Sequence, residues 1–162
     1  MKKIALFLAS FALWVLLAWP CTNQDVVAGI CVAIVVTLVM RQPASLNPLL
    51  LLNPVRLFWL IAYTVVLAYY IVKANFDVAY RVLHPAMPIS PGIVKVRTTL
   101  RTPVAITALS NSITLTPGTL TVNASEDGVL YVHWINIQAT DEASASEHIV
   151  KRFEWFLKRI FE

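Results

Sequence analysis

The chain has 162 residues, of which 58% are hydrophobic and only 14% are charged, and its formal net charge is +4. Soluble domains average about 45–50% apolar and about 25% charged residues, so this composition excludes an ordinary soluble domain and indicates a membrane protein. The sequence has only 4 glycines and no phosphate loop, paired carboxylates, metal-ligand cluster or basic–aromatic nucleic-acid motif, so we expect no enzyme activity, no cofactor, no metal site and no nucleic-acid partner.

Residues 1–42 predict a short transmembrane helical hairpin. Two apolar runs, 4–19 and 26–40, are separated by a short polar turn. Pro20 ends the first helix, and Asp25 is placed to cap the second and to favour its positive N-terminal end. Each run has about 15–16 residues and is roughly 24 Å long. Because the hydrocarbon core is about 30 Å thick, we expect the hairpin to thin the bilayer or to lie partly against larger subunits.

The second helix of this hairpin carries small residues on one face. Gly29, Ala33 and Thr37 recur every four residues, and small side chains let another helix approach closely. Small residues are also common in membrane helices in general, so an alternative interpretation gives this face no particular partner. Under both interpretations the face is suited to helix packing and not to catalysis.

Residues 43–56 predict an interfacial connector, because their prolines break any long helix. Pro54 is a good first residue for the next helix, and Asn53 is a good cap for it. The apolar run 57–72 has aromatic residues near both ends, which is typical of the two membrane interfaces. We therefore predict a third transmembrane helix over residues 57–83.

Charged residues recur every four positions at the end of this third helix. Lys73, Asp77 and Arg81 share one helix face, and Asp77 before Arg81 is the favourable order for an ion pair. A pair of this kind inside a membrane could be a proton or ion relay. The alternative is a helix that emerges into the headgroups, and we favour it because the charges cluster after the apolar run.

A proline-rich linker, residues 84–92, precedes a small α+β domain that we assign to residues 93–162. Its alternating and periodic patterns predict the order β-α-β-β-α. The predicted elements are a strand from 93, a helix over 105–115, strands over 119–124 and 129–137, and a helix from about Glu142 with an apolar stripe at Ile149, Phe153, Phe156 and Ile160. The fold class is therefore a membrane α-helical region, with a hairpin and a third helix, followed by a small α+β domain.

The residues Thr116, Pro117, Gly118 and Thr119 form a turn between the predicted helix and the hairpin of this domain. Gly118 follows a proline and ends a helix, so we expect a positive φ that other residues resist. The segment from 112 to 122, with the strand 130–134 that follows, resembles the signature of the E subunit of the multisubunit, Mrp-type Na⁺/H⁺ antiporters. The resemblance extends over nearly the whole chain.

This resemblance implies a complex of several membrane subunits that exchanges Na⁺ for H⁺ using the proton motive force. Related modules occur in membrane-bound hydrogenase complexes, so both kinds of host stay open. The resemblance implies an accessory subunit in the cell (inner) membrane, multi-pass, with a cytoplasmic C-terminal domain. Its partners are then the other membrane subunits and the lipid bilayer. The alternative function is a membrane-anchored binding module that recruits a protein or anionic lipid.

Overall fold

The structure is a computed structural model that describes residues 2–40, 53–125 and 127–162. The chain divides into two compact units, Met1–Leu46 and Asn47–Glu162. Residues 43–52 of the predicted connector lie outside the described residues, as does Glu126 in the predicted hairpin loop. The described part is mostly helical, with one long apolar helix and a small three-stranded antiparallel sheet.

The helices are α1 (Lys2–Leu17), α2 (Asn23–Val39), α3 (Pro54–Leu83), α4 (Pro103–Leu115), α5 (Glu142–Ile149) and α6 (Lys151–Phe161). The strands are β1 (Gly92–Arg97), β2 (Thr119–Ala124) and β3 (Val129–Trp134). Among the described residues, α3 is the one helix whose length and composition would suffice to cross a membrane, whereas α1, α2 and α4 are shorter apolar helices.

The first unit consists of α1 and α2, which pack as a hairpin. Thr22 caps α2, because its side chain accepts a hydrogen bond from the Asp25 backbone N–H at 3.4 Å. The Asp25 carboxylate accepts one in return from the Thr22 N–H at 2.8 Å, so the two residues form a capping box. Asp25 therefore supports the start of α2 as predicted, but Thr22 occupies the cap position itself.

The start of α3 confirms the predicted cap and first residue. Pro54 is the first helical residue, and the Asn53 side-chain oxygen accepts a hydrogen bond from the Val55 N–H at 3.0 Å. Helix α3 then continues for 30 residues. It belongs to the same compact unit as the α+β domain.

Helix α3 packs against the α+β domain along most of its length. Near its start, the Arg56 guanidinium donates a hydrogen bond to the Ile160 carbonyl at 2.8 Å. Near its end, Val78 lies beside Gly118 of the domain, since a Cβ built on that glycine would be 3.5 Å from Val78 Cγ2. Arg56 and Val78 are about 33 Å apart along a helix that rises 1.5 Å per residue. The third helix is therefore an integral layer of this unit, where the sequence pattern predicted a separate element joined by a linker.

The sheet has the strand order β1-β3-β2, and both pairs are antiparallel. Val94 and Val96 of β1 are buried and lie opposite Val132 and Leu130 of β3. This alternation confirms the predicted half-buried strand, because successive side chains of a strand point to opposite faces. The buried face packs against α4 and α6 in one hydrophobic core.

The last part of the chain forms two helices where one was predicted. Helices α5 and α6 meet at Val150, whose own backbone angles remain in the right-handed helical region. The predicted apolar stripe is present: Ile149, Phe153 and Ile160 are buried, and Phe156 is partly buried. The observed order after the linker is thus strand, helix, strand, strand and two consecutive helices.

Candidate functional site

A cleft between α3 and the α+β domain brings together two groups of residues that the sequence analysis singled out. Lys73 and Asp77 of α3 lie on one side of it, and Thr116, Pro117 and Thr119 of the predicted turn lie on another. The cleft has a volume of about 430 Å³. It is therefore the candidate site, and its capacity to act on a ligand or an ion depends on which of these groups remain free.

The third side of the cleft is formed by α5, α6 and the end of β3. Arg152 lies 5.0 Å from the centre of the Tyr70 ring, and His148 stacks obliquely on Trp134 with ring centres 6.2 Å apart. Burial lowers the pKa of the Arg152 guanidinium, although the nearby Tyr70 opposes this shift. An arginine nevertheless stays protonated in proteins, so the cleft contains a permanent positive charge held by a cation–π contact.

The residues from 116 to 119 form a β-turn whose first and last members are hydrogen bonded. The Thr119 N–H donates to the Thr116 carbonyl at 3.2 Å. Pro117 is the second residue, and Gly118 is the third with a φ of +89°, which is the pattern of a type II turn. The predicted positive φ of Gly118 is therefore confirmed. An L-residue with a side chain is strained at this angle.

The hydroxyl groups of the turn are used inside the protein. The Thr116 hydroxyl donates to the Ser112 carbonyl at 2.8 Å, and the Thr119 hydroxyl donates to the Ile113 carbonyl at 2.6 Å. These bonds satisfy carbonyls at the end of α4 that have no partner within the helix. The turn is thus a helix terminator with its own side-chain caps, and its hydroxyls are committed to that role.

Gly118 is also enclosed by neighbouring elements. Its carbonyl accepts a hydrogen bond from the Ile135 N–H at 2.8 Å, which attaches the turn to the end of β3. A Cβ atom built at this position would lie 2.9 Å from Ile135 Cγ2 and 3.5 Å from Val78 Cγ2 of α3. The glycine therefore lies where α3, α4 and β3 converge, and it leaves no room for a side chain.

A buried hydrogen bond between Tyr63 and Ser112 joins α3 to α4 one turn before this site. Both residues are buried, and the Tyr63 ring packs edge-on against Phe153 with centres 6.4 Å apart. The Ser112 hydroxyl also bonds to the Ala108 carbonyl at 2.7 Å. The polar tip of the tyrosine is thus satisfied where its ring enters the core, as buried tyrosines require.

The charged residues of α3 form a pair rather than a continuous chain. Arg81 holds Asp77 with two hydrogen bonds, Nε to Oδ2 at 2.8 Å and Nη2 to Oδ1 at 3.1 Å. Lys73 is exposed on the cleft side of the helix and forms no ion pair within the described part of the chain. Arg81 at the same time holds the linker through Pro88. This geometry attaches the end of α3 to the linker that follows it.

The small-residue face of α2 lies in the other unit. Gly29 and Ala33 are buried against α1, and a Cβ on Gly29 would lie 2.5 Å from Trp14 Cδ1. The Trp14 indole also donates a hydrogen bond to the Asp25 carbonyl at 2.9 Å. Thr37 is half-buried, and its hydroxyl donates to the Ala33 carbonyl at 2.7 Å. These small residues therefore allow α1 and α2 of the same hairpin to approach each other closely.

Three glutamates that the sequence analysis did not single out connect distant parts of the domain. Glu154 accepts hydrogen bonds from the Thr98 hydroxyl and the Thr99 N–H, both at 2.5 Å, and Glu162 accepts one from the Arg101 N–H at 2.6 Å. Glu154 thus links α6, and Glu162 links the residue that caps α6, to the segment after β1. The partners are 55 to 61 residues apart in the chain, so no local sequence pattern could have revealed them.

The third of these glutamates, Glu142, links α5 to β1. Its carboxylate lies 2.9 Å from the Lys95 ammonium and 2.8 Å from the Arg97 guanidinium. The hydrogen bonds from Arg97 and then Lys95 lower the pKa of Glu142, and the same contact raises the pKa of Arg97. All three side chains are exposed to solvent, so their attraction is strongly screened.

Comparisons with known proteins identify the family. A family model described as a Na⁺/H⁺ ion antiporter subunit matches residues 7–160. The E subunit of the Na⁺/H⁺ antiporter of Alkalihalophilus pseudofirmus is 34% identical over 137 residues, which cover 83% of this chain and 84% of that protein. The chain belongs to the Na⁺/H⁺ antiporter E-subunit family. The resemblance of the signature segment is therefore confirmed.

Other relatives of this E-subunit chain align over shorter stretches or are solved structures. The antiporter E1 subunit of Staphylococcus aureus is 33% identical over 89 residues, which cover 54% of this chain and 56% of that protein. A chain of an archaeal respiratory complex, the membrane-bound sulfane sulfur reductase, is 38% identical, with a TM-score of 0.75 and 99% coverage of both chains. A chain of the Mrp complex from Dietzia is 30% identical over 67% of this chain and 98% of its own, with a TM-score of 0.46.

Several polar groups of this site in the E-subunit chain are bonded within the chain itself. Within the described residues, no three His, Cys, Asp or Glu side chains are placed to hold a metal ion. The turn hydroxyls and the Asp77 carboxylate bond to groups of the same chain. Two cationic side chains line the cleft: Lys73, which is exposed, and Arg152, which is half-buried.

Proposed function

We propose that this protein is an accessory membrane subunit of a multisubunit monovalent cation/proton antiporter of the Na⁺/H⁺ type. It supports assembly and ion transport, and it does not conduct ions alone. Membership of the E-subunit family supports the antiporter context. The observation that supports the accessory role is the Asp77–Arg81 pair, because the one carboxylate of α3 is neutralised by an arginine that also binds the linker.

An ion-conducting path needs ionisable groups that can change partners within the membrane. The predicted membrane hairpin has Asp25 as its one acidic residue, and this carboxylate is engaged in the cap of α2. Among the described residues, Lys73 and Arg56 are the charged residues of α3 without an ion pair, and the Arg56 guanidinium is bonded to the Ile160 carbonyl. A single cation beside the domain does not make a relay, so we place the transport path in other subunits.

The partners are therefore other membrane subunits, together with the lipid bilayer. The relative with a TM-score of 0.75 belongs to a respiratory membrane complex, and the relative that aligns over 137 residues is an antiporter subunit. We propose the antiporter as the host and the cell inner membrane as the location. The hairpin spans the membrane twice, its Gly29, Ala33 and Thr37 face organises the pair of helices, and the C-terminal domain is cytoplasmic.

The test is reconstitution of the chain alone and of the membrane complex that contains it. Vesicles are loaded with a pH-sensitive dye, and proton movement is followed after addition of Na⁺. We expect exchange from the complex and none from the isolated chain. Deleting the chain from the complex should lower exchange in proportion to the loss of assembled complex. Robust exchange by the isolated chain would refute the accessory role.

A membrane-anchored binding module remains the second candidate, and one observation favours it. The outer face of the sheet exposes three large apolar side chains. Ile93 and Leu120 lie on either side of His133, and Tyr131 is two residues before His133 on the same strand. Exposed apolar patches on small domains often mark protein contacts. A free-standing module should be stable and monodisperse alone in detergent. An obligate subunit should co-purify with other membrane chains or be degraded without them, and mass spectrometry of the purified material distinguishes the two.

A further inference from the structure

We propose that α3 does not cross the bilayer but lies in the plane of an anionic phospholipid surface, with its outer apolar face in the lipid and the α+β domain on its other side. The length and composition of α3 alone would permit a membrane span. The deciding observation is that the domain covers one face of this helix from Arg56, which bonds to the Ile160 carbonyl, to Val78, which lies beside Gly118.

A spanning orientation would carry the domain into the hydrocarbon. The covered stretch is about 33 Å long, and the hydrocarbon core is about 30 Å thick. The domain would then bring irregular backbone to membrane depth, including the segment 98–102, where Thr99 and Arg101 are exposed. Irregular backbone exposed to lipid does not occur in the hydrocarbon, because each unsatisfied backbone group costs several kcal/mol there.

The charges beside α3 lead to the same conclusion. Arg152 lies against the Tyr70 ring, and Arg159 lies 5.3 Å from the centre of the Trp59 ring. In a spanning helix these two arginines would lie at different depths within the hydrocarbon. Each would be unfavourable by about 2.5–3.5 kcal/mol near the bilayer centre. An orientation in the membrane plane leaves both at headgroup level.

The opposite face of α3 forms a continuous apolar stripe. Its members recur every three or four residues, and each is between 55% and 73% exposed: Phe58, Ile61, Val65, Tyr69, Val72, Phe76 and Tyr80. The four charged residues of the helix lie outside this stripe, on the half that faces the domain. The other face of α3 packs its aromatic residues against the domain, so the helix and the domain together have one apolar side and one polar side. Such an arrangement is typical of structures that lie in the membrane interface, buried by about 5–10 Å.

The charge along one flank of the stripe identifies the lipid surface as anionic. Lys73, Arg152 and Arg159 follow this flank beside the aromatic rings of α3, and the carboxylate of the helix, Asp77, is paired with Arg81. Basic residues near a membrane surface are each worth about 1 kcal/mol of attraction to anionic lipids. The positive flank and the apolar stripe therefore fit the same surface.

Depth measurements on the full chain test this orientation without requiring transport activity, so their failure would be distinct from a failure of the proposed function. Single cysteines would replace Phe58, Val65, Val72 and Tyr80 in a variant lacking the two native cysteines. The protein, with the membrane chains that accompany it, is reconstituted into phosphatidylethanolamine and phosphatidylglycerol vesicles. Nitroxide labels are then probed with oxygen and with a water-soluble nickel reagent. A label at the exposed Asn123 is the aqueous control.

We expect the four labels to have equal depths within about 5 Å, all roughly 5–10 Å below the phosphates. A spanning helix would instead give a depth that rises to the middle and falls again, since Phe58 and Val72 are about 21 Å apart along the axis. A partner protein on the stripe would shield the labels from both reagents. Either of these results would overturn the proposal.

A label-free variant provides a second test. Val65 is near the middle of α3, where a lysine is strongly unfavourable in a spanning helix. In a helix that lies in the interface, a lysine can extend its ammonium to the headgroups. We expect Val65→Lys to retain at least half of the wild-type amount of protein in the membrane and the same protease resistance. A tenfold loss of membrane-bound protein would contradict the interfacial orientation.

Discussion

Replacing Gly118 with valine tests whether the turn at the end of α4 is a structural joint. The glycine has a φ of +89°, and a Cβ would lie 2.9 Å from Ile135 Cγ2. Backbone strain of this kind is unfavourable by about 1–3 kcal/mol, and a branched side chain belongs at the upper end. We therefore expect Gly118→Val to lower the free energy of unfolding by about 3 kcal/mol. At 1.36 kcal/mol per factor of ten, the ratio of folded to unfolded protein falls by more than a hundredfold.

Two further substitutions separate the two causes of this loss. Asparagine tolerates a positive φ better than other residues, so Gly118→Asn retains the steric clash with Ile135 but relieves much of the backbone strain. The exposed Lys158 on α6 supplies a control, Lys158→Gln, that touches neither. The expected order of stability is wild type equal to Lys158→Gln, then Gly118→Asn, then Gly118→Val.

The assay is urea unfolding combined with limited proteolysis of the full chain in detergent, at matched expression. The midpoint of unfolding and the rate of cleavage should change together across the series. If Gly118→Val unfolds within about 0.5 kcal/mol of wild type, the usual range for neutral surface changes, the argument from φ and contact is wrong. The signature turn would then need a contact-based explanation at a subunit interface.

Three further perturbations test other parts of the structure. Tyr63→Phe should destabilise by about 1 kcal/mol in urea unfolding, because it removes one buried hydrogen bond to Ser112, and an unchanged midpoint would contradict this. The pKa of Glu142 is lowered in the folded protein. Ionised Glu142 therefore contributes to the stability of the fold above the ordinary carboxyl pKa, and this contribution is lost as the pH falls through the lower pKa of the folded state. Acidification below about pH 4.3 should therefore destabilise wild type more than Glu142→Gln, and parallel pH curves would refute the link. Gly29→Leu should separate α1 from α2, since its side chain would overlap Trp14, and retained tryptophan fluorescence and protease resistance of the hairpin would argue against this.

The local elements of the domain followed from sequence because their determinants are local. The helix predicted over 105–115 is present and begins two residues earlier, at Pro103, with the Thr102 hydroxyl accepting a hydrogen bond from the Ala105 N–H at 3.3 Å. The alternation in β1, the first hairpin strand and the positive φ of Gly118 also appear as predicted, whereas the second hairpin strand ends at Trp134 and not at 137. Each depends on residues within a few positions of one another, so a pattern in the chain suffices.

The environment of α3 could not be deduced in the same way, because hydropathy does not distinguish lipid from a protein core. The aromatic residues near both ends of the run 57–72 were interpreted as residues at the two membrane interfaces. In the structure Trp59 and Tyr70 instead pack against α6, with Trp59 contacting Trp155 at a ring distance of 5.1 Å and Tyr70 contacting Phe153 at 5.7 Å, and Tyr63 between them also contacts Phe153. These partners are more than eighty residues away in the chain, although the helical spacing of the three aromatics was visible.

The distribution of charge on α3 connects its packing to its proposed role. Arg56 donates to the Ile160 carbonyl of the domain, Arg81 donates to the Pro88 carbonyl of the linker, and Asp77 accepts from Arg81. Three of the four charged side chains of α3 are therefore bonded within the chain. A substitution among these three should therefore reduce transport only as far as it reduces the amount of assembled complex. Asp77→Asn retains the shape of the side chain and weakens the attraction to Arg81. If it lowered exchange tenfold while assembly stayed normal, Asp77 would have to act directly on the ion, and the relay interpretation would replace the structural one.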